Sequence, residues 1–150
     1  MTEAPPPVAD TPMWLSHHWP ADYDRCAVVA GRHVCRRCLV LYPAALVAAV
    51  LASAGATWPD RFDVALCWLL PLPAVVEFVG EQLGWLRHRP ARLVVTTLLL
   101  AAACGNLYAR YLDHPGDGLV WAVVAVYAGA CLLAALVSGT RSRRSPGTRP

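Results

Sequence analysis

Two cysteines separated by two arginines, Cys35-Arg36-Arg37-Cys38, stand directly before a long apolar run. A Cys-x-x-Cys turn brings two sulfur atoms close enough to share one metal ion or to form a tight disulfide. Further thiol and imidazole ligands lie shortly upstream, namely Cys26, His33, His18 and His17. Since a structural zinc site needs four such ligands, the segment predicts a zinc site built on Cys35 and Cys38.

Two other interpretations of this motif remain open from the residues alone. The pair is also typical of a redox-active dithiol, or it consists of two ordinary thiols beside arginines that set membrane topology. On the cytoplasmic side of a membrane thiols are kept reduced, which favours the metal over the disulfide. The remaining cysteines stand singly in apolar runs and are interpreted as small core residues: Cys67, Cys104 and Cys131.

Glu77 and Glu81 form a second candidate site, inside an apolar run and four residues apart. That spacing places them on one face of a helix. An ionisable residue within a membrane span costs about 2.5–3.5 kcal/mol on insertion scales and indicates a functional site. We expect Glu77 or Glu81 to act as general base or metal ligand in a hydrated pocket, together with Arg92. The alternative is that both glutamates pair structurally with nearby arginines.

Polar residues that follow this pair predict a binding site for an anionic group. They lie between the apolar run that contains the glutamates and the next apolar run, or in the first turns of that next run: Arg87, His88, Arg89 and Thr96. The forked guanidinium group suits phosphate and carboxylate. Because these residues, the glutamates and the cysteines are all expected at one membrane face, they converge on one site.

The elements that position these residues are predicted to be membrane-spanning helices. Hydrophobic residues make up 57% of the 150-residue chain and charged residues 15%. A span needs roughly 20 mostly apolar residues. Four windows fit, at Leu39–Ala56, Val64–Leu86, Leu93–Leu112 and Leu119–Gly139. The sequence therefore predicts an all-α, polytopic membrane protein, and short connections predict a four-helix up-down bundle.

Two of the spans carry features that bear on the site. Pro71 and Pro73 are expected to kink or break the second helix above Glu77. In the third helix, polar and small residues recur every three or four positions and share one face: Arg92, Thr96, Ala103, Asn106 and Arg110. Polar groups in hydrocarbon must find partners, so this face is predicted to point into the bundle.

Charge asymmetry predicts that both termini lie in the cytoplasm. The thirteen basic residues are all arginine, and this orientation puts eleven of them inside and only Arg61 and Arg110 outside. The predicted regions are a proline-rich disordered tail at 1–15, a Cys/His-containing cytoplasmic segment at 16–38, the transmembrane domain at 39–139 and a basic disordered tail at 140–150. No secretory signal peptide is expected at the start.

The stretch Gly31–Tyr42 resembles the small prokaryotic membrane proteins grouped as domain of unknown function 2085. Their pattern runs Cys-x-Arg-Cys-x-Gly-x-Tyr-x-Gly, and it is matched by Cys35, Arg37, Cys38 and Tyr42. Val40 and Ala44 replace its two glycines. Further similarity lies upstream, in a histidine followed by Asp24-Arg25, and downstream in Glu77, Gln82, Arg87 and Arg92. The resemblance implies a membrane protein with a cysteine-containing polar site and no established activity.

Together these features predict an integral protein of the inner cell membrane with a polar site facing the cytoplasm. The site is interpreted as that of a metal-dependent enzyme, with zinc as the expected metal, or of an accessory factor, acting on a small anionic or lipid-linked substrate. One alternative is a non-catalytic subunit that docks a soluble partner protein through a zinc knuckle. Another is a quinone-linked thiol-disulfide oxidoreductase. The expected partners include the lipid bilayer and exclude nucleic acid.

Overall fold

A computed structural model describes residues 11–12, 23, 26–56 and 58–144, without the side chains of 60 and 140–144. Two strands, β1 (Cys26–Val29) and β2 (Arg32–Cys35), precede five helices. The helices are α1 (Arg36–Ser53), α2 (Asp60–Leu69), α3 (Leu72–Gln82), α4 (Pro90–Asp113) and α5 (Gly118–Arg144). Residues 140–144 of the tail predicted to be disordered at 140–150 instead continue α5, because the helix extends past the apolar run. The rest of that tail, 145–150, lies outside the described residues, as do 1–10 and 13–15 of the tail predicted at 1–15, His17, His18 and Asp24-Arg25.

Four membrane-spanning segments are confirmed. The helical segments Arg36–Ser53, Arg61–Gln82, Pro90–Asp113 and Gly118–Gly139 are long and apolar enough to cross a bilayer. Large apolar side chains cover their outer surfaces, such as Leu46 and Leu133, each 65% exposed. Lipid is the solvent that such surfaces require, so the chain is a multi-pass membrane protein.

A β-hairpin leads into the first span, which the all-α prediction did not include. The strands pair antiparallel with Val29 opposite Arg32, which leaves a two-residue turn. Ala30 and Gly31 both have positive φ, 50° and 73°, as a type I′ turn requires. The register places Cys26 opposite Cys35, and α1 begins directly after the hairpin at Arg36. The first helix therefore starts three residues earlier than the apolar run.

The second span is broken at its prolines, as predicted. Helix α2 ends at Leu69, and α3 begins at Leu72 between Pro71 and Pro73. Proline lacks the N–H that a helix interior uses. Beside the break, the Tyr127 hydroxyl of α5 donates a hydrogen bond to the Trp68 carbonyl.

The end of α3 is set by Gly84 and comes four residues before the predicted Leu86. Gly84 has a φ of 77°, and its N–H donates to the Glu81 carbonyl at 3.1 Å. The Trp85 N–H donates to the Gly80 carbonyl at 2.8 Å. These two bonds form a Schellman motif, which stops the helix and turns the chain back across its end.

Helix α4 is the centre of the bundle and contacts each of the other four helices. The most extensive packing in the described chain joins α4 to α1, although these helices run parallel and are not consecutive spans. The short connections predicted consecutive antiparallel neighbours as the main contacts, and for α1 this expectation is wrong. The physical reason is Gly105, where an added Cβ would lie 2.4 Å from the Ala48 Cβ and 2.6 Å from the Ala49 nitrogen. Only glycine allows this approach.

The two ends of the bundle are distinct. The hairpin end comprises the β-hairpin, the start of α1, the end of α3 and the start of α4. The far end comprises the end of α1, the start of α2, the end of α4 and the start of α5. Each end holds one group of ion pairs, and α4 contributes an arginine to both.

We predict that Gly105→Ala destabilises the protein even though alanine is the better helix former. The added methyl group has no room against α1, and overpacking of this kind costs about 1–3 kcal/mol. Gly129→Ala is the matched control, because nothing lies within 4 Å of its added Cβ. Unfolding of the purified variants in mixed detergent micelles should show a loss for Gly105→Ala and no loss for Gly129→Ala. Equal stability would contradict the close α1–α4 contact.

Candidate functional site

Glu77 lies on the buried face of α3 at the hairpin end, and only 2% of its side chain is exposed. Its Oε1 accepts a hydrogen bond from Arg92 Nε at 2.8 Å. Its Oε2 accepts a hydrogen bond from the Thr96 hydroxyl and lies 3.6 Å from Arg37 Nη2. Both carboxylate oxygens are thus engaged by cationic or hydroxyl donors.

The partners of Glu77 come from two other helices. Arg92 and Thr96 lie one turn apart on α4, so both face the same point on α3. Arg37 lies in the first turn of α1, and its Nη1 also approaches the Ala74 carbonyl at 3.5 Å. A single carboxylate therefore joins α1, α3 and α4.

Glu81 lies one turn beyond Glu77 and nearer the surface, with 10% of its side chain exposed. Its Oε1 is 3.2 Å from His88 Nδ1 and 3.6 Å from Arg92 Nη2. Arg92 also donates from Nη2 to the Arg87 carbonyl at 2.8 Å. The Schellman turn after α3 explains these contacts, because it returns the chain across the end of the helix.

Arg87, His88 and Arg89 connect the turn after α3 to the start of α4. Arg89 has φ −134° and ψ 113°, and side chains alternate in extended backbone. His88 accordingly points inward to Glu81, whereas Arg87 and Arg89 are exposed. The inward contact fixes the segment and holds two guanidinium groups on the outer surface.

The Glu81–His88 pair is the part of the site that can move a proton. With the ring hydrogen on Nδ1, donated to Glu81, the Nε2 atom keeps its lone pair. Nε2 is a buried atom and has no hydrogen-bond partner in the described part of the chain. A carboxylate that orients an imidazole in this way leaves the second nitrogen as a general base or metal ligand.

Glu77 differs from the carboxylate in a hydrated pocket that the sequence suggested. It is enclosed, and the pairing with Arg92 that we held as the alternative is what the structure contains. Of the residues predicted to act together, Glu77, Glu81, His88, Arg92 and Thr96 do converge. Arg37 was not predicted as a site residue, although its place in the first turn of a span at the same membrane face was a signal.

The cysteines are gathered by the hairpin. Cys26 is paired with Cys35 across the two strands, and the Cys38 thiol lies close to Cys35. Arg36 Nε donates to the Cys26 carbonyl at 3.1 Å. The fourth candidate ligand within the described chain, His33, stacks on Tyr23 with ring centroids 3.9 Å apart.

This arrangement brings three of the predicted zinc ligands together but does not form a metal centre. Among the residues whose structure is described, no group of three or more His, Cys, Asp or Glu side chains has the geometry to hold a metal ion. His17 and His18 lie outside that set.

The far end holds a second group of ion pairs, centred on Arg110. Its guanidinium contacts Asp63 of α2 and Asp117 before α5, and the Trp58 indole donates to Asp63 at 2.7 Å. Asp117 also caps α5 by accepting from the Leu119 N–H at 2.7 Å. The hydrogen bond from Arg110 lowers the pKa of Asp117 below its usual value.

The polar face of α4 was predicted to point into the bundle, and its contacts confirm this for Arg92, Thr96 and Arg110. Asn106 instead donates to the Ala102 carbonyl of its own helix at 3.1 Å. Asp63 and Asp117 were not predicted as partners. The signal for them was Arg110 itself, since a guanidinium group within a span needs an anion.

We predict that Glu77→Gln destabilises the protein strongly, because two arginines lose the charge they share. Removing one member of a buried pair costs about 3–5 kcal/mol. Adding Arg92→Gln to the Glu77→Gln variant should restore part of the stability, as measured by unfolding in mixed detergent micelles.

Glu81→Gln is the matched control for this experiment. Its carboxylate is more exposed and its two contacts are longer, so we expect a smaller loss of stability. If Glu77→Gln unfolded like the unmodified protein, the ion pair would not hold the helices together.

Comparison with known proteins identifies no relative, since no protein-family model, curated protein or solved structure matches the chain. The resemblance to domain of unknown function 2085 therefore stays a hypothesis that rests on the cysteine motif and the residues around it. The case for function rests on the geometry of the hairpin end.

Proposed function

We propose that the hairpin end binds the anionic headgroup of a lipid or lipid-linked substrate. The observation that carries this proposal is the segment Arg87–Arg89, in which His88 is fixed to Glu81 and both arginines are exposed. Two guanidinium groups held outward beside a rigid ion-pair network offer forked donors to a phosphate or carboxylate.

Charge at this end supports an anionic ligand. The described hairpin end carries two glutamates, Glu77 and Glu81, and a larger number of arginines: Arg32, Arg36, Arg37, Arg87, Arg89 and Arg92. The glutamates take up Arg37 and Arg92 in ion pairs. Positive charge therefore remains in excess after the internal pairs have formed.

The position of the segment supports a ligand at the membrane surface. Trp85 precedes the arginines and is 74% exposed, next to Leu86, which is 38% exposed. Tryptophan favours the interface between hydrocarbon and water. Arg87 and Arg89 follow between two membrane-spanning segments, Arg61–Gln82 and Pro90–Asp113, so in a bilayer they would come to the level of the lipid headgroups.

We predict that the double variant Arg87→Gln/Arg89→Gln loses selective binding of anionic lipid. Purified protein in nanodiscs or detergent would be titrated with phosphatidylglycerol and with phosphatidylcholine. The unmodified chain should prefer phosphatidylglycerol, and the preference should weaken as salt is raised.

Arg61→Gln is the matched control, because Arg61 is an exposed arginine at the far end. It should leave the preference at the hairpin end unchanged. Equal binding of both lipids by the unmodified chain would overturn the proposed function.

The same proposal places the hairpin end on the cytoplasmic side of the inner membrane. The excess of arginine at this end and the acidic residues at the far end follow the pattern of cytoplasmic and outer loops. We predict that a reporter fused after Pro150 is active only in the cytoplasm, and that one inserted between Gly55 and Trp58 is active only outside. The reverse result would invert the orientation.

A second candidate function, docking of a soluble partner through a zinc knuckle, is favoured by the convergence of Cys26, Cys35 and Cys38. Deprotonated cysteines are strong zinc ligands, and the hairpin brings these three thiols near one another, although the described residues do not form a metal centre. We predict that Cys35→Ser reduces the zinc content of the purified protein, measured by elemental analysis, whereas Cys104→Ser does not. Equal zinc content in both variants would exclude this site.

A further inference from the structure

An apolar groove runs along the lipid-facing side of the α1–α4 contact. It has a volume of about 440 Å³. Its walls are formed by small and branched apolar side chains, among them Ala44, Val47, Leu51, Leu98 and Ala102. In a membrane such a groove is open to hydrocarbon chains and closed to water.

The groove follows from the close packing that Gly105 permits. The backbones of α1 and α4 approach each other there, and alanines occupy the contact. Ala101 is 1% exposed and lies in the wall between the helices. Longer side chains flank these alanines, so the groove is left along the line where α1 and α4 meet.

The groove lies at a depth in the membrane that the acyl chain of a phospholipid can reach. Pro43 lies seven residues and Leu51 fifteen residues after Arg36, which corresponds to about 10 Å and about 22 Å along the helix axis. One leaflet contributes about 15 Å, half of the roughly 30 Å hydrocarbon core. An acyl chain whose carbonyl end lies near Arg36 would therefore enter the groove about 10 Å along the helix and reach the bilayer centre within it, since the groove continues to Leu51 beyond that depth.

Arg36 lies on the same face of α1 as the groove, about 10 Å along the helix axis from Pro43, the first lining residue. Residues seven and eleven positions apart share a face of a helix, so Arg36 is aligned with Pro43 and Val47. The bond from its Nε to the Cys26 carbonyl holds its side chain beside the hairpin. A cationic side chain thus lies beyond the hairpin-side end of the groove, on the side where the phosphate of a bound lipid would be.

We infer that the α1–α4 groove binds one acyl chain of an anionic phospholipid whose phosphate is held by the arginines of the hairpin end. This inference rests on the proposed function and extends it from the headgroup to the chain. The arginines of the hairpin end select the anionic lipid, and the groove adds apolar contact that depends on the length of the acyl chain.

The test uses two phosphatidylglycerols, one with oleoyl and one with hexanoyl chains, titrated into the purified protein and measured by native mass spectrometry. Hexanoyl chains are too short to reach far beyond Pro43. Ala44→Phe fills the groove from α1, and Ala102→Phe fills it from α4. Each should weaken binding of the long-chain lipid about tenfold, equivalent to about 1.4 kcal/mol, and leave the short-chain lipid unaffected.

Ala125→Phe is the matched control, since Ala125 is an exposed alanine of α5 outside the groove. It should bind both lipids like the unmodified chain. If both groove variants bound the long-chain lipid like the unmodified chain and still preferred phosphatidylglycerol, the groove would not be the binding site of the acyl chain. The proposed function would then still stand. Loss of that preference in the unmodified chain would overturn the proposed function instead. A dimer that both groove variants dissociate would show that a second copy fills the groove and would overturn the inference.

Discussion

A carboxylate enclosed among membrane helices must be neutralised where it lies, and Glu77 of α3 meets this constraint with groups from two other helices. An isolated buried charge would cost several kcal/mol. Arg92 and Thr96 of α4 and Arg37 of α1 approach its two oxygens. Hydrophobic attraction between helices is weak in lipid, so such polar contacts decide which helices meet and at what depth. The register of α1, α3 and α4 at the hairpin end follows from this carboxylate.

At its other end, helix α4 has a second charged side chain that is neutralised by residues of neighbouring segments. Arg110 is held there by Asp63 of α2 and by Asp117, which directly precedes α5. Helix α4 thus has an arginine near each end, and both arginines pair with carboxylates of the second span. This pairing prevents α4 from sliding along its axis relative to that span. Between the two groups, packing needs only small residues, and Gly105 and its alanine neighbours supply them.

The sequence was sufficient to predict the spans and the break at Pro71, because length, hydropathy and proline act locally. It also predicted the convergence of Glu77, His88 and Arg92, since charges in a span must meet. It did not predict the parallel packing of α1 on α4. That contact depends on the fit of Gly105 against Ala48, a long-range match that periodicity within one helix does not encode. The hairpin was missed because four-residue strands give little pattern, and Arg37 because its neighbours suggested metal binding.

Enclosure of Glu77 divides the hairpin end into a structural layer and a surface layer. Glu77 is held on both oxygens and is the part that fixes the helices. Glu81, one turn nearer the surface, orients His88, and the backbone carbonyl of Arg87 is bound by Arg92. The backbone of the Arg87–Arg89 segment is thereby held by the structural layer, whereas the exposed side chains of Arg87 and Arg89 form none of the ion pairs described above. Under the proposed function, a ligand phosphate would meet a segment whose backbone is already held in place, so that little ordering of the backbone would oppose binding.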